Sequence, residues 1–255
     1  MAVAGTAGVP WRRVLPAGDS ALLLEFGDAI DEGTSDGVQR LAARLQGKAL
    51  SGVHGAIPGF ATLLVEYDPM AWEADRLVSA LRSLAAHPAP PPARRRHLIP
   101  VLYGGLHGED LGEVAAALGM EQAEVVRLHA ERDYRIYCLG FSPGFPLCGA
   151  LPPELRLPRR ATPRTRVPAG SVAIAGQQTG VYPLETAGGW HLIGRTPVPL
   201  FRWDGEEPVP YRPGDLLRFR PIGEEEFAAL EEQARRGEAA VESVALAGPG
   251  GVIDC

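Results

Sequence analysis

The chain has 255 residues, 45% of them apolar and 22% charged, a balance that suits two modest packed domains and argues against a disordered polymer. Its net charge of -6 disfavours nonspecific nucleic-acid binding, which needs a basic surface. No run approaches about 18 consecutive apolar residues, and the start MAVAGTAGVPW lacks a charged segment before an apolar one, so neither a membrane-spanning helix nor a signal peptide is expected.

Residues 1–11 are expected to be disordered, and residues 12–87 read as a small α/β domain. SALLLEF (Ser20–Phe26) and ATLLVEY (Ala61–Tyr67) are short, apolar and partly alternating, as strands are. Between them Val38, Leu41 and Leu45 fall at helical spacing, with Gly47 as a stop. After Asp68-Pro69, Leu77, Leu81 and Leu84 mark a second helix. Residues 88–96, which contain three consecutive prolines, are expected to form a stiff spacer between domains.

From residue 97 to 223 the rhythm changes. HLIPVLYGG reads as a strand, Asp110 with Glu113 as a capping box opening a helix, and EQAEVVRLHAER as a second helix. YRIYCL, SVAIAG, TGVYPL, WHLIGRT and DLLRFRPI follow as short strands separated by Gly and Pro, which predicts a closed or nearly closed β-barrel. The expected class is therefore α+β, a small α/β domain followed by a barrel. Residues 224–255 are expected to form a C-terminal helix, with Glu231–Arg235 and Glu232–Arg236 at i,i+4, and a tail.

Residue types narrow the chemistry. Lys48 is the only lysine, so Schiff-base, Ser-Lys and P-loop mechanisms lack their cation, and arginine must supply it. Cys138, Cys148 and Cys255 form no C-x-x-C, which fits a reduced, cytoplasmic protein. The six histidines show no metal-binding spacing, and no metal site is expected.

Gly140-Phe141-Ser142-Pro143-Gly144 matches the G-x-S-x-G elbow of hydrolases. In that fold the residue after the serine donates its N–H to the oxyanion. Here it is Pro143, which has none. Ser142 is therefore not read as a nucleophile. Pro143, Gly144 and Pro146 instead make a rigid loop that aims Phe141 and Phe145 either into the end of the barrel or along a pocket wall. Arg156, Arg159, Arg160, Arg164 and Arg166 lie on a proline-stiffened run suited to gripping carboxylate or phosphate, with Arg164 and Arg166 nearest the barrel. Gln177, Gln178, Thr179 and Tyr182 offer hydrogen bonds at neutral pH, and Trp190 and Arg195 sit on opposite faces of one predicted strand.

These motifs together carry a resemblance. IPVLYGGLHGEDLGEVA, YCLGFSPGFPLCGALP, PRTRVPAGSVAIAGQQTGVYPLETAGGWHLIGRTPVPLF and YRPGDLLRFRPI, in that order, resemble the B subunit of 5-oxoprolinase, a family that includes the kinase inhibitor KipI and allophanate hydrolase subunit 1-like domains. The resemblance spans about Val14 to Ile222. It departs at Leu147-Cys148-Gly149-Ala150, where the family has an aromatic residue and a Gly-Gly pair.

The resemblance implies a cyclophilin-like barrel, a partner C subunit of 5-oxoprolinase with a related barrel, and a separate A subunit. It implies ATP as co-substrate of the complex and no tightly bound cofactor in this chain. It also implies an activity, the ATP-driven opening of 5-oxoproline to glutamate, with this chain inactive alone. By residue type, Arg164, Arg166, Gln178 and Arg195 are the catalytic candidates. Phe141, Pro143, Phe145, Thr179, Tyr182 and Trp190 are the substrate-binding ones. Two alternatives stay open: inhibition of a sensor histidine kinase, and one half of a urea carboxyltransferase.

Overall fold

The computed structural model describes residues 3–4, 10–47, 50–86, 93–203 and 207–246. Lys48, the Pro90–Pro92 run and residues 247–255 of the expected tail lie outside them. The chain divides into two compact units, residues 1–93 and 94–255.

The first unit contains β1 (Val3–Ala4), β2 (Arg13–Pro16), β3 (Ala21–Glu25), α1 (Glu32–Gly47), β4 (Val53–Pro58), β5 (Thr62–Tyr67) and α2 (Ala74–Ala86). Its strands form an antiparallel sheet in the order β1-β2-β3-β5-β4. Alternation in β3 and β5 sets the core. Leu22 opposes Val65 and Leu24 opposes Leu63, and these four join Val38, Leu41, Leu45, Leu77 and Leu81 in one buried cluster. The last carbonyls of α2, which carries no basic residue of its own there, accept from Arg44 of α1, 2.5 Å to Leu84 O.

Two strands were not legible in the sequence. VHGAIP of β4 ends in a proline, which is tolerated because β4 has a strand on one side only. β2 is the other. Trp11 corrects a further expectation. Placed at the end of a disordered N-terminus, it is 2% exposed and packs edge-on against Phe26, because its indole fills space beside the sheet.

The second unit runs β6 (Arg95–Tyr103), α3 (Leu111–Leu118), α4 (Gln122–Ala130), β7 (Asp133–Leu139), β8 (Pro146–Gly149), β9 (Arg164–Val167), β10 (Ser171–Ala175), β11 (Gln178–Val181), β12 (Thr186–Gly188), β13 (His191–Arg195), β14 (Leu216–Pro221), α5 (Glu224–Arg235) and β15 (Glu242–Ala245). Seven strands, β13-β10-β11-β8-β7-β14-β6, close into a barrel through a β13–β6 pairing. Closure removes the sheet edges that would otherwise be open to aggregation.

Ile99, Val101, Ile136, Cys148, Val172, Ile174, Val181, Ile193, Leu217 and Phe219 belong to the main buried cluster of this unit. β10 is buried along its whole length. Its Val172 and Ile174 join that cluster, while Ala173 and Ala175 join a second one with Phe145, Val167, Tyr182, Trp190 and Leu192. β9 and β12 pair as a separate two-stranded ribbon.

Three local expectations meet the structure here. On α5, Glu231–Arg235 and Glu232–Arg236 do approach, at 3.6 and 3.7 Å. Exposed pairs of this kind contribute only about 0.3–0.5 kcal/mol each. Arg95 and Arg96, assigned to the spacer, belong to the barrel. The Arg95 N–H donates to Asp215 at 2.9 Å, and Arg96 pairs with Asp133 at 2.6 Å. Glu242–Ala245, assigned to the tail, pairs with β6 as β15.

Candidate functional site

The loop Gly140–Phe145 is the connection between β7 and β8. It closes on two hydrogen bonds: Gly140 N–H to Phe145 O at 3.1 Å and Phe145 N–H to Ser142 O at 3.0 Å. Gly144 stands at φ 75°, and the Tyr211 hydroxyl donates to its carbonyl at 2.8 Å. A Cβ on Gly144 would lie 2.5 Å from Val209 Cγ1 and 3.2 Å from Phe201 Cδ2. Gly144→Ala combines a left-handed φ with a clash, so a loss of about 2–4 kcal/mol is expected in a urea unfolding curve. The Ser142 hydroxyl is shielded from solvent and has no hydrogen-bond partner, hence no base to activate it.

Four of the candidate binding residues form one aromatic group. Phe145 is central, with ring centroids 5.0 Å from Tyr182, 5.6 Å from Trp190 and 5.4 Å from Phe141, all edge-to-face. Phe145, Tyr182 and Trp190 are buried, whereas Phe141 is 67% exposed and Pro143 is exposed beside it. Phe141 has φ 71°, the left-handed region that a bulky residue seldom adopts. Gly188 makes room for the Tyr182 hydroxyl, which any Cβ there would overlap. Burial raises the Tyr182 phenol, opposed by a hydrogen bond from Trp190 N–H and by the charges of Arg159 and Arg164. The aromatic group and the arginine run therefore adjoin.

The arginines converge on Asp110. Arg164 grips its carboxylate with both NH groups, at 2.9 and 2.7 Å, Arg160 donates at 2.7 Å, and the backbone N–H of Leu192 donates at 2.7 Å. Asp110 does begin α3, but its side chain makes no capping bond. The capping-box expectation fails because the carboxylate reaches across to β9 and β13 instead. Burial alone would raise Asp110; Arg164, the Leu192 N–H and Arg160 outweigh it and hold the group below the usual carboxylate range. In turn the Arg164 guanidinium is pushed up by Asp110.

The other candidates lie apart from this junction. Arg166 is exposed and pairs with Glu185 at 2.7 Å. Arg195 donates to Ala169 O at 3.0 Å. Gln178 opens β11 opposite Gly149. Thr179 is fully buried: its hydroxyl donates to Ala173 O at 3.1 Å and must then accept from His129 Nε2, 2.8 Å away, while Tyr103 OH donates to His129 Nδ1 at 2.8 Å. This chain of hydrogen bonds fixes one neutral tautomer of a buried histidine and leaves Thr179 no free hydrogen for a ligand.

Sequence reasoning missed a further cluster, Ser243–His97–Asp215. His97 Nε2 meets Asp215 at 3.0 Å and Nδ1 meets Ser243 Oγ at 2.8 Å. The residue types match a hydrolase triad, but the ring nitrogens are used in the opposite sense, and His97 is fully buried. The cluster fastens β15 to β6 by a cross-strand contact at the Ser243–His97 pair. A cavity of about 180 Å³ beside it is lined by Arg95, Glu207, Val209, Tyr211, Arg212 and Asp215, and contains none of the candidate site residues. Among the described residues no cluster of metal-ligating side chains occurs, and no helix is long and apolar enough to cross a membrane.

Comparison with known proteins places this geometry. The family model for the carboxyltransferase domain, subdomain C and D, matches residues 12–211. The 5-oxoprolinase B subunit of Bacillus subtilis (strain 168) is 39% identical over 235 residues, covering 85% of this chain and 95% of that protein. The chain belongs to the family of 5-oxoprolinase B subunits. The Escherichia coli O157:H7 member is 44% identical over 205 residues, 80% of this chain and 93% of its own. The crystal structure of TTHA0988 superposes with a TM-score of 0.72 at 40% identity; it covers 80% of this chain but only 40% of the longer TTHA0988 chain. The stretch that matches the family model contains Asp110, the arginine run and the whole aromatic group, and stops before α5 and β15.

Proposed function

We propose that this chain is one component of an ATP-dependent 5-oxoprolinase, acting in the cytoplasm with the A and C subunits to open 5-oxo-L-proline to L-glutamate. The observation that carries the reading is the match to the 5-oxoprolinase B subunit over 95% of the Bacillus subtilis protein. The site chemistry is compatible with it. The chain offers an aromatic wall beside arginines. ATP is then a co-substrate of the complex.

Within this reading Arg164 is a positioning residue. Both of its NH groups are committed to Asp110, and its charge lies close enough to Tyr182 to act on the phenol. Arg164→Ala should lower turnover of the reconstituted complex at least about tenfold, by loosening the wall that it braces. Arg166→Ala, which removes only an exposed pair with Glu185, should stay within about twofold.

The test is 5-oxoproline-dependent ATP hydrolysis and glutamate release by purified A and C subunits, with this chain added or omitted. Turnover that requires all three supports the reading. Turnover that is indifferent to this chain overturns it and moves histidine-kinase inhibition to the front.

A further inference from the structure

Phe141 and Trp203 are the two aromatic side chains that stand out most from the described surface, at 67% and 80% exposure. They sit on adjoining loops. Trp203 packs edge-on against Phe201, with centroids 4.7 Å apart, and Phe201 and Val209 lie directly against Gly144 of the Phe141 loop. Tyr211 ties the two loops together through Gly144 O. The result is a patch formed by Phe141, Phe201, Trp203 and Val209.

The backbone of Phe141 makes this patch hard to explain within the monomer. Its φ of 71° is disfavoured for a bulky residue, and an aromatic ring two-thirds exposed recovers little of that cost by burial. Among the described residues no other non-glycine has a positive φ. Strain that aims an aromatic ring at solvent points to something outside the chain.

We infer that the Phe141–Trp203 patch docks a second, non-identical polypeptide with an apolar face. Two facts favour that occupant over another copy of this chain. TTHA0988 carries the equivalent of this chain within 40% of its own length, so there the unit is covalently joined to a larger remainder. The curated relatives are each named as the B subunit of an enzyme, a part of something larger. Exposed Trp and Phe held on rigid loops are the side chains that dominate protein interfaces. The inference rests on the 5-oxoprolinase reading above, and supplies the surface through which that assembly forms.

The experiment measures binding of the full chain to the purified C subunit by sedimentation velocity and titration calorimetry. Phe141→Ser and Trp203→Ser are compared with Leu106→Ser, which alters a 93% exposed residue in the loop between β6 and α3. Because all three side chains are exposed, unchanged melting temperatures are expected. The inference predicts that Trp203→Ser and Phe141→Ser each weaken binding about thirtyfold or more, with Leu106→Ser within about twofold. If the wild-type chain binds and all variants bind equally, the docking surface is wrong and the 5-oxoprolinase reading stands. If the wild-type chain does not bind the C subunit, the partnership itself fails and the inference with it. Self-association of the chain that is lost in Trp203→Ser would replace the foreign partner by a second copy.

Discussion

Asp110→Ala should lower the unfolding free energy of the barrel unit by about 3 kcal/mol, and Asp110→Asn by roughly half as much. Removal of the carboxylate leaves Arg160 and Arg164, about one-quarter and one-fifth exposed, without their shared counter-ion, and leaves the Leu192 N–H without an acceptor. Partial exposure lets water solvate the guanidinium groups, which keeps the loss at the lower end for a broken buried pair. Asparagine preserves an acceptor oxygen for Leu192 but not the charge. Urea unfolding at pH 7 is the measurement, with the m-value expected to stay constant. A loss below about 1 kcal/mol would mean that Asp110 behaves as a surface group, and that Arg164 does not brace the Tyr182 wall. The sign with pH follows from the depressed folded pKa. The contribution is complete above the ordinary carboxylate value of 3.8 and is lost as pH falls through the lower folded one.

Asp110 also shows where the sequence stops being legible. An acidic residue three positions before a glutamate looks the same whether its carboxylate caps the helix or reaches across the fold. Its true partners, Arg160 and Arg164, lie about fifty residues further along the chain, a distance that local patterning does not register. The same holds for His97, Asp215 and Ser243, which meet only because β6, β14 and β15 are neighbours in the sheet. Elements fixed by their own residues were readable. SALLLEF and ATLLVEY alternate because one face of their sheet is buried, and the glycine- and proline-punctuated strands after Tyr134 do close into a barrel. Short edge strands such as β4 and β15 gave little pattern, since an edge position demands little of its side chains. In the loop, the expectation of rigidity came from Pro143, Gly144 and Pro146. That Phe141 itself takes the left-handed conformation, with its ring exposed while Phe145 is buried, has no signal in the local sequence.

Acid should destabilise the barrel unit well before its carboxylates titrate, and His129 is the reason. Its ring is stacked 4.5 Å from Phe219 and 5.3 Å from Tyr134, and burial pushes its pKa down to about 3 from the ordinary histidine value of 6.5. A group whose charged form is excluded from the fold favours the unfolded chain once that chain can bind the proton. The stability due to its neutrality is therefore complete above pH 6.5 and is lost progressively as pH falls from 6.5 toward 3. Each unit of pH in that window removes up to about 1.4 kcal/mol, on the order of 4–5 kcal/mol in all. Asp110 and Asp215 are both held below 3.8, so neither contributes until the lower end of the window. His107 is also lowered, by burial first and then by Arg195, and adds a smaller loss of the same sign. His129→Gln separates the two, because a glutamine amide can donate toward Thr179 and accept from Tyr103 without titrating. Unfolding free energies measured between pH 8 and 4 should fall steeply for the wild-type chain and much less for His129→Gln, the two curves converging as pH drops. Parallel curves would show that His129 can be protonated in place. The Tyr103–His129–Thr179 chain would then be a relay open to protons, and Thr179 would return as a candidate for contact with substrate.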